Sequence, residues 1–250
     1  MTSPRLLLLT GWAMHPASLT PLVNALGQLK QPIAADVIQL PNLLESTLED
    51  WMQHVFSRLA PLQEQTPHPP WVGGWSLGGM LATRLAAQAP DCFRGVVSLA
   101  ANARFVATPD WPSAMPPPTF DGFMQRYQQS AATTLRRFSR LCCQGETAGG
   151  TAEALSSVMQ SPGSAGQSEQ LELLATLDNR APIKHLACPQ LHLLASNDAL
   201  VPVNTAQALA QLNPRYLTTA CVPGGHLFPF SQPDATAARI SRFIHQAAHG

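Results

Sequence analysis

Short apolar runs alternate with stretches of helical spacing along the first hundred residues. Leu6-Leu7-Leu8-Leu9, within a run from Arg5 to Thr10, stops at Gly11, as a strand buried on both faces of a parallel sheet does. Ser18 to Leu29 carries apolar residues at helical spacing, and Ala35 to Leu40 reads as a second strand closed by Pro41. Thr47 to Leu62 predicts a helix. It opens on Ser46-Thr47-Leu48-Glu49-Asp50, a capping hydroxyl with carboxylates where the helix dipole favours them, and Pro61, Pro67, Pro69 and Pro70 end it. Pro70 to Gly73 predicts a third strand, Met80 to Ala89 a helix, and Gly95 to Leu99 a fourth strand.

The alternation stops at Asn102. From there to about Cys188 no strand-like run occurs. A proline cluster (Pro109, Pro112, Pro116, Pro117, Pro118) leads into Phe120 to Leu141, where Phe120, Phe123, Met124, Tyr127, Ala131, Leu135, Phe138 and Leu141 fall near one helical stripe. Gly145 to Gly166, rich in Gly and Ser, predicts loops around a short helix at Thr151 to Met159. Strands resume at Gln190 to Ala195 and Arg215 to Val222, and a helix from Asp234 to Ala248 follows. The expectation is an α/β fold with a mostly parallel sheet flanked by helices. Residues 1–101 and 189–250 form its core, and residues 102–188 are inserted as a helical cap.

Composition narrows the function. The chain has 250 residues, 45% of them hydrophobic, enough for one domain of this kind. Charged residues are 12%, and 15 basic residues balance 15 acidic ones, so neither a nucleic-acid partner nor a membrane surface is indicated. Cys92, Cys142, Cys143, Cys188 and Cys221 are odd in number and lack the spacing of a metal site, which points to free thiols. The apolar N-terminal run is too short for a signal peptide and no run reaches the length of a membrane span. A cytoplasmic protein is expected.

Gly74-Trp75-Ser76-Leu77-Gly78 changes the picture most, because the serine falls where a predicted strand turns into a predicted helix. Flanking glycines permit a sharp, strained turn there that lifts the hydroxyl above the sheet, with the Leu77 N–H behind it. Gly11-Trp12, at the end of the first strand, offers the Trp12 N–H as a second donor to an oxyanion. A serine hydroxyl needs a base, and the base needs an orienting carboxylate. Asp198 follows the strand ending at Ala195, and His226 follows the last strand behind Gly224-Gly225, so both belong to the sheet edge that carries Ser76. Ser76, His226 and Asp198 are therefore the candidate nucleophile, base and acid of a two-step acyl transfer, with Asp110 and Asp178 as fallback acids. The chemistry calls for no metal or organic cofactor.

These segments give the chain a resemblance to the α/β-hydrolase superfamily over nearly its whole length. Gly11-Trp12, Gly74-Trp75-Ser76-Leu77-Gly78-Gly79, Asp110-Trp111-Pro112 with Phe120 to Phe123, Arg137-Phe138, Leu171 to Arg180 and Asp198-Ala199-Leu200-Val201-Pro202 look like the family of pimeloyl-[acyl-carrier protein] methyl ester esterases of biotin synthesis. The resemblance implies a serine esterase acting on an ester carried by acyl carrier protein. It implies substrate contacts at Trp12, Trp75 and Phe138, and docking of the acidic carrier on Arg126, Arg136, Arg137 and Arg140, taken as one cap-helix cluster. Three departures stand out: Thr10 where a histidine is common, Asn42 where a glycine usually follows the Leu-Pro pair, and a start at the family's third strand, which leaves the first hairpin absent. A general short-chain carboxylesterase, a menaquinone-pathway-like lyase and a non-catalytic receptor of the same fold are the alternatives.

Overall fold

Six strands, β1 (Arg5–Leu9), β2 (Ala34–Ile38), β3 (Trp71–Trp75), β4 (Val96–Leu99), β5 (Gln190–Ala195) and β6 (Leu217–Val222), form one sheet in the order β2-β1-β3-β4-β5-β6. Every neighbouring pair is parallel. The computed structural model describes residues 3–40, 42, 44, 47–65, 68–146 and 151–247. Pro41, Ser46 and Pro67, which the sequence reading used as stops and a cap, and Ala248 lie outside the described residues.

Helices cover both faces of the sheet, so nearly every residue of β1, β3, β4 and β5 is buried, the polar Ser98, Gln190 and His192 included. The edge strands β2 and β6 are only partly buried. Strand order reverses at β1, which pairs with β2 on one side and β3 on the other, with Leu9 opposite Gly74. The loops after β1 and β3 therefore diverge around a crevice, the place where open α/β sheets bind ligands.

Element boundaries moved in physically readable ways. The helix expected over Thr47 to Leu62 runs from Leu48 to Gln65. The first helix is split into a 3-10 turn at Pro16–Leu19 and an α-helix at Thr20–Gly27. The single stripe from Phe120 to Leu141 is two helices, Pro117–Gln129 and Ala131–Cys143, because Ser130 is extended and its hydroxyl caps the second by accepting from the Thr133 N–H. Three further helices, Thr151–Ser157, Gln167–Thr176 and Arg180–His185, follow in the segment between β4 and β5, whose described residues contribute no strand to the sheet.

That segment is tied back to the sheet domain by Asp178 and Asn179. Asn179 donates from Nδ2 to the Met80 carbonyl at 2.8 Å, and Arg84 donates to the Asp178 carbonyl at 2.7 Å. The Asp178 carboxylate accepts from Arg180 at 2.6 Å and Arg104 at 3.2 Å, and those bonds, Arg180 first, draw its pKa down to about 2. Arg180 also pairs with Asp110 at 2.6 Å, so both fallback acids are engaged in this anchor.

His192, in the middle of β5, is 2% exposed, and neither ring nitrogen has a hydrogen-bond partner among the described residues. Desolvation pulls its pKa from 6.5 down to about 4. The unfolded chain takes up that proton near the ordinary value and the folded chain only near the lowered one. Stability therefore falls as pH drops between the two, by up to about 3 kcal/mol. Denaturant unfolding at stepped pH is expected to show this loss in the wild type and not in His192→Leu. An identical acid limb in the variant would contradict the assignment. The anchor at Asp178 keeps its contribution to lower pH, because it is lost only as pH falls below the usual carboxylate value of 3.8 toward about 2.

Candidate active site

Ser76 lies one residue past β3 with φ 57° and ψ −120°, a left-handed conformation that a non-glycine residue holds only when its surroundings enforce it. The enforcement comes from backbone packing. A Cβ on Gly74 would strike the backbone of Gly78 and Gly79, and one on Gly78 would strike the carbonyls of Leu9 and Thr10. The Ser76 N–H is held by the Leu99 carbonyl at 2.8 Å, and its side chain makes no capping bond to the helix Leu77–Gln88 that follows. The hydroxyl is thus left out of the helix start and borders a cleft. Leu77 begins the helix, so its N–H has no carbonyl one turn back to bond.

The loop after β1 sits against this turn. A Cβ on Gly11 would lie 3.6 Å from the Ser76 Cβ, which brings Trp12 beside the serine as the sequence reading required. The loop is fixed from above: Met14 forms an antiparallel bridge with Met159, His15 donates to the Val158 carbonyl at 2.9 Å, and Gln160 donates to that of Ala13 at 2.9 Å. The Trp12 indole donates to the Gln167 carbonyl at 2.8 Å, and its ring meets Phe123, Tyr127 and Phe138 edge to face at 5.0 to 5.6 Å.

Asp198 and His226 leave the ends of β5 and β6 on the same edge. The loops are joined by the Ser196 and Asn197 N–H groups, which donate to the Val222 and Gly224 carbonyls at 2.9 Å each. Asp198 Oδ1 accepts the N–H groups of Leu200 and Val201 at 2.8 and 2.9 Å, and Oδ2 lies 2.8 Å from His226 Nδ1. Both side chains are fully buried. An ionised carboxylate can only accept, so Nδ1 carries the proton and Nε2 is the basic nitrogen. Nε2 has no hydrogen-bond partner among the described residues, the Ser76 hydroxyl included. Trp75, the residue before Ser76, reaches the same loop: its indole donates to the His226 carbonyl at 2.9 Å and its ring lies 5.8 Å from the imidazole. Burial, with the Asp198 charge second, pushes the neighbouring Cys142 thiol well above its ordinary value.

The cleft is walled by Trp12, Phe105, Phe120, Phe123 and Phe138. Leu141, Leu171, Leu174 and Leu200 add to an apolar lining. Of the three expected substrate contacts, Trp12 and Phe138 line the cleft, while Trp75 is buried outside its lining and holds the histidine loop. Leu171 and Leu174 come from a helix, Gln167–Thr176, that no pattern in the sequence had marked as facing Ser76. The four arginines belong to two helices rather than one. Arg126 borders the cleft, while Arg136, Arg137 and Arg140 are exposed on the face of Ala131–Cys143 opposite the buried Leu135, Phe138 and Cys142. Among the described residues none of the four enters an ion pair. No group of His, Cys, Asp and Glu among those residues is arranged to hold a metal ion, and no helix is long and apolar enough to cross a membrane.

A parallel sheet with a strained serine at the β3 turn and a buried Asp-His pair at the same edge defines a class, and the chain belongs to it: residues 41–233 match the alpha/beta hydrolase fold family. Within that family the chain is similar to two curated relatives. It is 34% identical to the biotin biosynthesis bifunctional protein BioHC of Cellvibrio japonicus, over 99% of this chain and 49% of that protein. It is also 34% identical to the pimeloyl-[acyl-carrier protein] methyl ester esterase of Xylella fastidiosa strain 9a5c, over 96% of this chain and 95% of that one. The chain thus spans about half the length of the bifunctional relative. Among solved structures, the esterase of Exiguobacterium antarcticum superposes with a TM-score of 0.81 at 14% identity, covering 97% of this chain and 92% of that one.

Proposed function

We propose that the chain is a serine carboxylesterase that hydrolyses the methyl ester of pimeloyl-[acyl-carrier protein] in biotin synthesis. The observation that carries the chemistry is the pairing of His226 Nδ1 with a fully buried Asp198 carboxylate, which leaves Nε2 basic and without a partner near the Ser76 turn. Ser76 Oγ is the group that Nε2 lacks. The hydrogen bond between nucleophile and base is often long in a free enzyme and tightens when substrate is bound.

In this reading His226 Nε2 takes the Ser76 proton as Oγ attacks the ester carbonyl. Asp198 stabilises the resulting imidazolium, and the N–H groups of Trp12 and Leu77 hold the oxyanion. Collapse of the tetrahedral intermediate expels methoxide, which takes the proton from Nε2 and leaves as methanol. Water then cleaves the acyl-enzyme by the same route, restoring Ser76 and releasing the carboxylate. Residues 102–188 act as a cap, and the apolar cleft beneath it takes the acyl chain at Trp12 and Phe138.

The substrate assignment draws on the two biotin-pathway relatives, and the exposed arginines support the carrier as partner. Arg136, Arg137 and Arg140 present cations on the solvent face of a helix whose other face lines the cleft. Carriers of this kind are acidic, so that face suits docking. A reducing, cytoplasmic setting fits the free cysteines.

The test compares monomethyl pimeloyl-carrier protein with dimethyl pimelate. The carrier-bound ester is expected to be turned over with the higher kcat/KM, and Arg137→Glu with Arg140→Glu should lower that value about tenfold or more while changing dimethyl pimelate turnover less than about twofold. Equal losses on both substrates would argue against docking on this face. Turnover of short esters without preference for the carrier-bound one would favour a general carboxylesterase.

A further inference from the structure

The short strap Gln144-Gly145-Glu146, which follows the helix Ala131–Cys143, enters the space between the two loops that carry the acid and the base. A Cβ on Gly145 would lie 2.7 Å from the Asn197 Cβ, one residue before Asp198, and a Cβ on Gly225 would run into the Gln144 carbonyl. The strap is therefore in backbone contact with both loops. Its carboxylate is used in full: Glu146 Oε1 accepts the Gly225 N–H at 2.9 Å, and Oε2 accepts the Ser231 hydroxyl at 2.7 Å. Those two donors bracket His226, one residue before it and five after. Gly224 holds φ 107°, a conformation that side chains rarely adopt, and its ideal Cβ would approach Glu146 Oε1 at 3.3 Å.

The geometry points to Glu146 as a positioning residue for His226. It touches no reacting atom. It holds the Gly225 N–H before the imidazole and the Ser231 hydroxyl after it by charge-assisted hydrogen bonds, which are stronger than neutral ones and set direction as well as distance. Asp198 orients the ring and the Trp75 indole holds the His226 carbonyl, so Glu146 supplies the third constraint, and it comes from the segment between β4 and β5. The position of the base is thereby linked to the helices over the cleft. A displacement of about 1 Å in a base is enough to lower turnover by about 10²-fold.

The inference rests on Ser76 and His226 acting as nucleophile and base. The experiment measures kcat and KM for a short p-nitrophenyl ester, and the rate of Ser76 labelling by a fluorophosphonate, in wild type, Glu146→Ala, Glu146→Gln and Ser231→Ala. Glutamine keeps an acceptor for the Gly225 N–H and can donate to the Ser231 oxygen. Glu146→Ala is expected to lose about tenfold or more in kcat with KM within about twofold, and labelling should slow in parallel. Ser231→Ala should lose less, and Glu146→Gln should regain most of the rate. The inference is overturned if Glu146→Ala keeps kcat within about twofold of wild type, if its loss is confined to KM, or if Glu146→Gln is as impaired as Glu146→Ala. Should Glu146→Ala not fold, Ser231→Ala decides: a lower kcat at unchanged KM supports the role and an unchanged kcat removes it. Wild-type protein inert to both ester and probe would overturn the nucleophile reading, and this one with it. Active wild type with an indifferent Glu146→Ala would overturn this one alone.

Discussion

Ser76→Ala is expected to lower kcat for a small ester by roughly 10⁴-fold or more while the protein still folds, because removing the nucleophile of a serine triad abolishes nearly all of its rate advantage. The fold should survive, since the Ser76 hydroxyl neither caps the helix nor fills a buried bond. Ser76→Gly adds a second, opposite expectation. Position 76 sits at φ 57° and ψ −120°, where any Cβ is strained. Glycine relieves that strain and should raise unfolding stability by about 1 kcal/mol even though the variant is equally inactive. Activity and stability measured side by side separate the two terms. Loss of activity with a large fall in stability would mean that the serine has a structural role. A Ser76→Gly variant less stable than Ser76→Ala would mean that the turn is not under strain.

Gly78→Ala carries the largest expected effect on stability. Its methyl group has no pocket to enter, because the atoms it meets are the carbonyls of Leu9 and Thr10 at the end of β1, and backbone cannot swing aside as a flexible side chain can. The start of the helix Leu77–Gln88 has to move away from the strand, which separates Leu77 from the Gly11-Trp12 loop and disturbs the packing under Ser76. A destabilisation of about 3 kcal/mol or more is expected, which for a chain of this size is roughly a 10 °C fall in Tm, and activity should fall with it. Gly27→Ala is the natural control, since a Cβ there meets nothing within 4 Å. If both variants unfold at the wild-type temperature, the close contact between the turn and β1 is not what holds Ser76 in place.

The sheet and the three candidate catalytic residues were legible in the chain because both depend on local pattern. Unbroken leucines, as in β1, mean a strand covered on both sides, and Asp198 and His226 lie just past the ends of β5 and β6. What was not legible depends on contacts between distant segments. The resemblance makes Trp75 a substrate contact, and the structure shows a contact the sequence did not signal, its indole N–H donating to the His226 carbonyl. Leu171 and Leu174 fall in a segment, Leu171 to Arg180, that carries the family resemblance, but nothing in the sequence marked them as cleft residues, which they become through the way their helix packs. The helix expected to end at Leu62 passes through Pro61 and continues to Gln65, so that proline alone does not end it. Ser130 is an unexpected stop, because an extended serine both ends one helix and caps the next. Glu146 had no signal of its own. The nearest clue was the Gly224-Gly225 pair, whose need for glycine is explained in part by the strap lying against it.

The central claim is that Ser76 is a nucleophile activated by His226, whose imidazole Asp198 orients. Treatment with a fluorophosphonate followed by peptide mass mapping tests it most directly. The account predicts a single covalent adduct on the peptide containing Ser76 in the wild type, and strongly slowed labelling in His226→Ala. No adduct at Ser76, or labelling at an undiminished rate without the imidazole, would contradict it.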